Sequence, residues 1–221
     1  MVSLVFSPIW FFGFDSVFDF ISIIITLLIG FYSYKIYKLT GKKSYFYLYI
    51  VFLLLGLGLV LKSFANLGMY YDLLHKLGVI DTRLFGYQIT ALALFTYVLT
   101  TLLGYIILVA LTLKLQGKRI ISLLFLLVFL TILLAKNSFM FFHLISFIII
   151  MFYVMPYFYD NYRKVKTNMA FLVFTCFFLL GASHLLFALV FYSTQFYVSG
   201  VILQMVGYLM LLVNLILVHK Q

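Results

Sequence analysis

Polar side chains that interrupt the long apolar stretches of this 221-residue chain are the candidates for chemistry. Two of them are histidines. His143 lies about 8 Å inside the outer end of the fifth predicted helix, and His184 lies about 12 Å inside the outer end of the sixth. Two imidazoles at a shared depth are typical of a metal pair, a haem pair or a ligand site. A zinc site needs three protein ligands or more, and His75 lies in a loop. We therefore expect no metal and no cofactor, but two neutral rings hydrogen-bonded within the bundle.

Four further polar side chains occupy the same half of the predicted helices. Lys62 either extends to the outer headgroups, the interpretation we favour, or faces inward and meets an anionic ligand. Asn66, Gln88 and Gln204 either join helices through hydrogen bonds or contact a ligand. Together with the two histidines, His143 and His184, these four side chains predict a ligand-binding pocket that faces outward. The second, third, fifth, sixth and seventh predicted helices would line it.

The residues needed for catalysis do not form a recognisable set. The chain contains no glutamate, and Asp15 and Asp19 lie at the outer end of the first predicted span, which argues against a carboxylate relay in the centre of a membrane. Ser183 and His184 are adjacent, so they point to different faces of a helix and cannot act as a hydrolase pair. We therefore expect no catalytic residues and a protein that is not an enzyme.

The composition places these residues in a membrane protein. Hydrophobic residues make up 67% of the chain and charged residues 9%, which excludes an ordinary soluble domain and a disordered chain. An apolar stretch of roughly 20 residues spans a bilayer as a helix, and the stretches lack the alternation of a barrel. Seven spans are predicted, at residues 16–37, 45–66, 86–113, 120–135, 138–159, 168–192 and 196–218. The predicted fold is all-α, a polytopic seven-transmembrane-helix bundle forming a single domain over residues 1–221.

The basic residues predict how this bundle is oriented. Eleven of the fifteen lysines and arginines fall on one side of the predicted bundle. The positive-inside rule makes this the cytoplasmic side of a cell membrane, with the C-terminus in the cytoplasm and the N-terminus outside. The net charge of +10 therefore reflects topology, with the lipid bilayer as the partner and no nucleic acid. The outer side is neutral, which favours an uncharged or lipid-like ligand. Its longest loop, residues 67–85, is either a helix on the outer surface or a plain loop.

The chain also contains an internal repeat. A shift of 125 positions aligns nine identical residues, among them Tyr32 with Tyr157 and the run 54–56 with 179–181. A second offset aligns Gly104-Tyr105 with Gly207-Tyr208. We interpret residues 16–113 and 138–218 as parallel repeats joined by a linker helix at 120–135.

This 3+1+3 layout resembles the broad group that contains seven-helix opsins, SWEET-type sugar transporters and the seven-helix sensor modules of bacterial receptors. The resemblance covers helix number, orientation and repeat arrangement, and reaches no family motif. The last span has no lysine for a retinal Schiff base, so no retinal is expected, and the only prolines are Pro8 and Pro156. From the predicted outer pocket we expect a module that binds or senses a small molecule or lipid and signals through its short loops to a cytoplasmic or membrane protein partner. The alternative is a transporter of a small solute.

Overall fold

A computed structural model describes residues 7–11, 13–76, 87–115, 117–134 and 137–219. The described part is all-α and has no strands, because apolar segments in a membrane must satisfy their backbone hydrogen bonds internally. A short 3₁₀ turn at Ile9–Phe11 precedes the helices. The seven helices are α1 (Phe14–Thr40), α2 (Lys43–Lys76), α3 (Tyr87–Thr112), α4 (Lys118–Leu134), α5 (Ser138–Val165), α6 (Asn168–Ala188) and α7 (Gln195–His219).

Six of these helices are long and apolar enough to cross a membrane, so the chain is a multi-pass membrane protein. The exception is α4, which has 17 residues and is the shortest of the seven. The sequence predicts seven spans, and the length and composition of the described helices support six of them in full.

The six long helices form a ring in which each packs against the next, in the order α1, α2, α3, α5, α6, α7 and back to α1. Outside this ring, the described part of α4 packs mainly against α3 and α5. Short connections make neighbouring helices antiparallel, so residues far apart in sequence meet in the same half of the ring. The half that contains the start of α1, which the sequence predicts to be extracellular, is called the upper half below.

Three predicted boundaries differ from the structure by more than three residues. The fifth helix continues to Val165 rather than ending at residue 159. The predicted loop at 67–85 begins as a continuation of α2, which runs without interruption to Lys76, so its first part is not a separate surface helix. Residues 77–86 lie outside the described residues. The sixth helix ends at Ala188 rather than residue 192, because the chain turns over Leu189–Tyr192 with backbone hydrogen bonds of its own.

One wide turn interrupts α5. Residues Ile150–Val154 form a π-helical segment, in which the Met155 N–H reaches the carbonyl of Ile150. Pro156 follows directly; its ring has no N–H to donate and would collide with the carbonyl of Phe152 in a regular α-helix. The π turn accommodates this collision by widening the helix above the proline.

Glycines allow the helices within each half of the chain to approach closely. A methyl group added at any of four glycines would lie between 2.9 and 3.2 Å from a side chain of the neighbouring helix. The contacts are Gly56 with Thr26, Gly181 with Met151, Gly104 with Leu55, and Gly207 with Leu180. These contacts bring together α1 and α2, α5 and α6, α2 and α3, and α6 and α7.

Two helices end in the same left-handed cap. The N–H of Gly41 bonds the carbonyl of Tyr37 at 2.8 Å after α1, and the N–H of Lys166 bonds the carbonyl of Tyr162 at 2.8 Å after α5. The backbone φ is +66° at Gly41 and +53° at Lys166. Glycine adopts this conformation without strain, whereas a lysine pays for the contact between its Cβ and the backbone.

Replacing Lys166 by glycine is therefore expected to stabilise the protein. Relief of the left-handed strain exceeds the lost attraction between the lysine and the helix terminus, giving a net gain of about 0.5–1 kcal/mol. Thermal unfolding in detergent measures the change. The matched control is Lys164→Gly, which removes the same charge but places glycine inside α5, and should destabilise by about 1 kcal/mol. Equal effects of the two variants would contradict the assignment of strain to Lys166.

Candidate functional site: a buried polar cluster

A buried ion pair joins the first two helices in the upper half of the ring. Lys62 of α2 places its Nζ 2.8 Å from Oδ1 of Asp19 on α1, and the two residues are only 6% and 2% exposed. In an apolar interior this attraction is strong, but removing both charges from water is costly as well. The pair therefore persists only with good geometry and further hydrogen bonds.

Those further hydrogen bonds come from α2 and α7. Asn66, one turn beyond Lys62, donates from Nδ2 to the second oxygen of Asp19 at 3.3 Å and lies 3.5 Å from the hydroxyl of Tyr197. Tyr197 in turn donates to Oδ2 of Asp15 at 3.4 Å. The other oxygen of Asp15 accepts hydrogen bonds from the backbone N–H groups of Gly13 and Ser16, at the N-terminal end of α1. Both carboxylates are thus satisfied inside the ring.

A second chain of hydrogen bonds lies across the ring. His143 of α5 and His184 of α6 face each other through their Nδ1 atoms, 2.8 Å apart. The Nε2 of His184 lies 2.7 Å from the hydroxyl of Tyr105 on α3. Tyr105 starts deeper in the bundle, but side chains tilt toward the N-terminus of their helix, which lifts its phenol to the level of the histidines. All three residues are at most 2% exposed.

Aromatic rings enclose the histidines and separate them from the ion pair. The rings of Phe139, Phe142 and Phe187 lie 4.4, 4.6 and 4.9 Å from the ring of His143, centroid to centroid. The ammonium of Lys62 lies 5.4 Å from the centroid of Phe187. Phe187 therefore contacts a cation and an imidazole, and joins the charged and the neutral parts of the site.

The charged and neutral parts together form the buried polar cluster, defined as Asp15, Asp19, Lys62, Asn66, Tyr105, His143, His184 and Tyr197. Each of the six helices of the ring contributes a side chain to these hydrogen bonds, and α7 does so through Tyr197, which bonds Asp15 and Asn66. Polar groups that meet at a helix interface can exchange partners, and in a membrane such groups mark functional sites. The cluster can hold a ligand, share protons or couple helix positions.

The structure brings together most of the predicted site residues. His143, His184, Lys62 and Asn66 belong to the buried polar cluster. Gln204 is 5% exposed and lies one turn before Tyr208 on α7, and it is in none of the hydrogen bonds of the cluster described above. Gln88 lies apart: it is exposed at the start of α3 and contributes nothing to the cluster. Whether any of the six residues binds a ligand stays a prediction.

The favoured interpretation of Lys62 was wrong. Its side chain does not extend to the headgroups, because Asp19 provides a carboxylate at the same depth inside the ring. Sequence analysis missed Asp19, Asp15, Tyr105 and Tyr197 as members of the site. A signal for the first of these existed: counted from the turn at Gly41, Asp19 and Lys62 lie at almost equal heights on antiparallel helices.

The geometry of the cluster does not resemble a metal centre. Among the described residues, no group of three histidine, cysteine or carboxylate side chains is placed to hold a metal ion. The Nδ1 atoms of His143 and His184 bond each other, and a haem would need to separate them. The polar side chains of the cluster are thus hydrogen-bonded to one another.

Two apolar cavities lie beside the cluster in the described part of the chain. One of about 270 Å³ opens between α2 and α3. The other, of about 230 Å³, lies between α3, α4 and α5, and its walls include Tyr97 and Phe139. Phe139 contacts His143, and the ring of Tyr97 lies 5.4 Å from Phe142, so this second cavity shares a wall with the histidine pair. It is called the α3–α4–α5 cavity below.

Removing one partner of the ion pair is expected to destabilise the bundle more than removing both. Asp19→Asn or Lys62→Met leaves a buried charge without its partner and should cost about 3–5 kcal/mol. The double variant should recover most of that loss, which a double-mutant cycle on unfolding in detergent measures. Asp160→Asn, at an exposed position near the end of α5, is the control and should change stability by less than about 0.5 kcal/mol. Additive losses in the double variant would contradict direct pairing.

Comparisons of the chain with protein-family models, curated proteins and solved structures found no match. The resemblance in helix number and layout therefore supports no specific family. The functional argument rests on the buried polar cluster and the cavity beside it.

Proposed function

We propose that this protein is a seven-helix module of a cell membrane that binds an uncharged or lipid-like molecule and passes the resulting rearrangement to a protein partner. The observation that supports it is the wall shared by the α3–α4–α5 cavity and the histidine pair. Phe139 belongs to both, since it lines the cavity and lies 4.4 Å from the ring of His143.

The cost of the cluster supports a function beyond stability. A buried ion pair is often no better for stability than apolar residues of similar volume, and ionisable groups in membranes are retained mainly where they act. Here Lys62, Asp19 and two histidines are almost completely buried. A bundle that needed only to be stable would be served by leucine at these positions.

The cavity provides a route by which a ligand alters the cluster. Its walls are apolar except for the Ser138 hydroxyl and the phenol of Tyr97, which suits a hydrocarbon chain or ring rather than a charged molecule. One wall is α4, whose buried Ile132 packs in one cluster with Tyr97 and Phe142, so a ligand that shifts α4 also shifts the residues beside the histidines. A ligand that displaces Phe139 changes the packing around His143, and the hydrogen-bond chain carries this change to α3 and α6.

The proposed orientation places the signalling surface on the other half of the bundle. The lower helix ends expose Lys42 and Lys43 at the start of α2, Arg163 and Lys164 in the last turn of α5, and Lys166 directly after it. A cluster of cations at helix ends is attracted to the anionic cytoplasmic leaflet, and partner proteins dock there through short loops. We also propose that the short α4 is a seventh membrane span, which links the two halves of the chain.

The internal repeat is also part of the proposal, and the glycine contacts support it. At the 125-residue offset, Gly56 and Thr26 correspond to Gly181 and Met151, and the Gly41 cap corresponds to the Lys166 cap. The partners of the third and seventh helices correspond as well, because Gly104 contacts Leu55 and Val51 whereas Gly207 contacts Leu180 and Cys176. Each pair of helices in one half therefore has a counterpart that packs at the corresponding residues.

This correspondence favours a second candidate function, a transporter of a small solute. Parallel repeats in transporters hold a site between them, and α5 has the wide π turn at Ile150–Val154 that such a mechanism uses as a flexible point. Osmotic swelling of proteoliposomes in a panel of small sugars separates the two functions. Swelling above that of empty liposomes would establish transport, whereas none together with saturable ligand binding supports the sensing module.

Ligand entry can be measured with tryptophan, since Trp10 is the only tryptophan in the chain. In a Trp10→Phe background, Phe129→Trp reports from the cavity wall, and Leu126→Trp, at a 50% exposed position of α4, reports from the lipid side. A brominated fatty acid at low mole fraction is expected to quench Phe129→Trp saturably, and Leu126→Trp only in proportion to its concentration.

The matched variant Ala91→Phe fills the same cavity. It should abolish the saturable part of the quenching and leave the proportional part unchanged. Saturation at both reporters, or at neither, would contradict the cavity as a binding site.

The proposed orientation is tested by labelling, because the single cysteine, Cys176, is buried. Ser193→Cys, in the exposed turn before α7, should react with a membrane-impermeant maleimide on intact cells. Lys42→Cys, in the turn between α1 and α2, should react only after the cells are opened. The reverse pattern would place the basic helix ends outside and overturn the topology.

A further inference from the structure

The chain Tyr105–His184–His143 can run in two directions. A neutral imidazole has one N–H and one acceptor nitrogen. In one arrangement, Tyr105 donates to Nε2 of His184, whose Nδ1–H donates to Nδ1 of His143. In the other, His143 donates from Nδ1 to Nδ1 of His184, whose Nε2–H donates to the oxygen of Tyr105. Both arrangements fit the observed separations of 2.7 and 2.8 Å.

We propose that the histidine pair is a proton-binding site that takes up one proton and not two. In the charged pair each Nε2 carries a hydrogen and a third hydrogen lies between the two Nδ1 atoms, so the 2.8 Å bond is kept. The proton comes from a hydronium ion of the solvent, which is left as water. No covalent bond of the protein breaks, and where Tyr105 was the donor its hydroxyl hydrogen turns away from Nε2 of His184. A second proton would place a hydrogen on both Nδ1 atoms, which cannot remain at this distance.

Uptake selects one direction of the chain. In the charged pair, Nε2 of His184 carries a hydrogen and must donate to the oxygen of Tyr105, so the tyrosine changes from donor to acceptor. The bond it accepts is charge-assisted and is stronger than its neutral counterpart. Proton uptake therefore changes the hydrogen bond of Tyr105 on α3, although neither histidine lies on that helix. This consequence does not depend on the proposed ligand and goes beyond it.

The groups that surround the pair limit how much positive charge it can carry. The ammonium of Lys62 lies behind Phe187 and repels a positive charge on the histidines, and Asp19 at 2.8 Å from that ammonium offsets part of this repulsion. The described residues of α4 that pack against Phe142 are apolar. The titratable groups on the remaining helices are phenols and one further carboxylate: Tyr97 and Tyr105 on α3, Tyr197 and Tyr208 on α7, and Asp15 on α1.

Proton uptake can be counted by solid-state NMR of the protein in liposomes, with ¹⁵N-labelled histidine. His75→Gln and His219→Gln remove the other two histidines of the chain. On lowering the pH stepwise from about 8 to the point at which the protein unfolds, one imidazolium per folded protein is expected, with the coupling between the two Nδ1 atoms retained. No imidazolium in the folded protein, or two imidazoliums with the coupling lost, would overturn the proposal.

Two tyrosine variants test the direction of the chain. Tyr105→Phe removes the acceptor of the charged pair, so uptake should require at least a tenfold higher proton concentration. Tyr208→Phe is the matched control, because this tyrosine is equally buried and is not part of the hydrogen-bond chain of the histidines; the titration of the pair should be unchanged. A titration of Tyr105→Phe like that of the parent would contradict the role of Tyr105. If that variant does not fold, the count of imidazoliums in the parent still decides the proposal.

Discussion

The ion pair between Asp19 and Lys62 is the constraint on which the upper half of the bundle depends. Neither charge is tolerable alone in an apolar interior, so α1 and α2 must place them at one depth and on facing sides. The tight turn after Gly41 sets the depth, and the close approach at Gly56 sets the distance between the helices. Slipping either helix by one residue would rotate a charge by about 100° toward lipid.

Phe187 divides the interior that this pair creates. The ammonium of Lys62 lies against its ring, the ring of His143 lies against it as well, and Tyr197 is 5.6 Å away. Gly200 permits this position, since a methyl group there would lie 2.8 Å from the ring. The charge is thus confined to one side by an aromatic ring that has little room to move, and the other side keeps its hydrogen bonds between neutral groups.

Most of the fold was predictable from the sequence, because hydrophobicity alone decides which segments become helices in a membrane. The same pattern identified the histidines, as ring nitrogens in an apolar stretch need partners, and the two rings do bond each other. It failed at Lys62, whose partner is 43 residues away, because hydropathy describes the distance to a helix end and not the side that a residue faces. It also missed Tyr105 and Tyr197, since a tyrosine among 18 tyrosines gives no signal until its hydroxyl is placed.

The repeat that we propose explains why the site exists once and not twice. At the 125-residue offset Lys62 corresponds to Phe187, and His184 to Leu59. Corresponding residues touch one another only near the axis that relates the repeats, and Lys62 and Phe187 do touch. Under the proposed repeat, the two halves differ where they meet: the first carries the ion pair and the second the histidines. Neither half contains a complete cluster, so any function of these groups requires both.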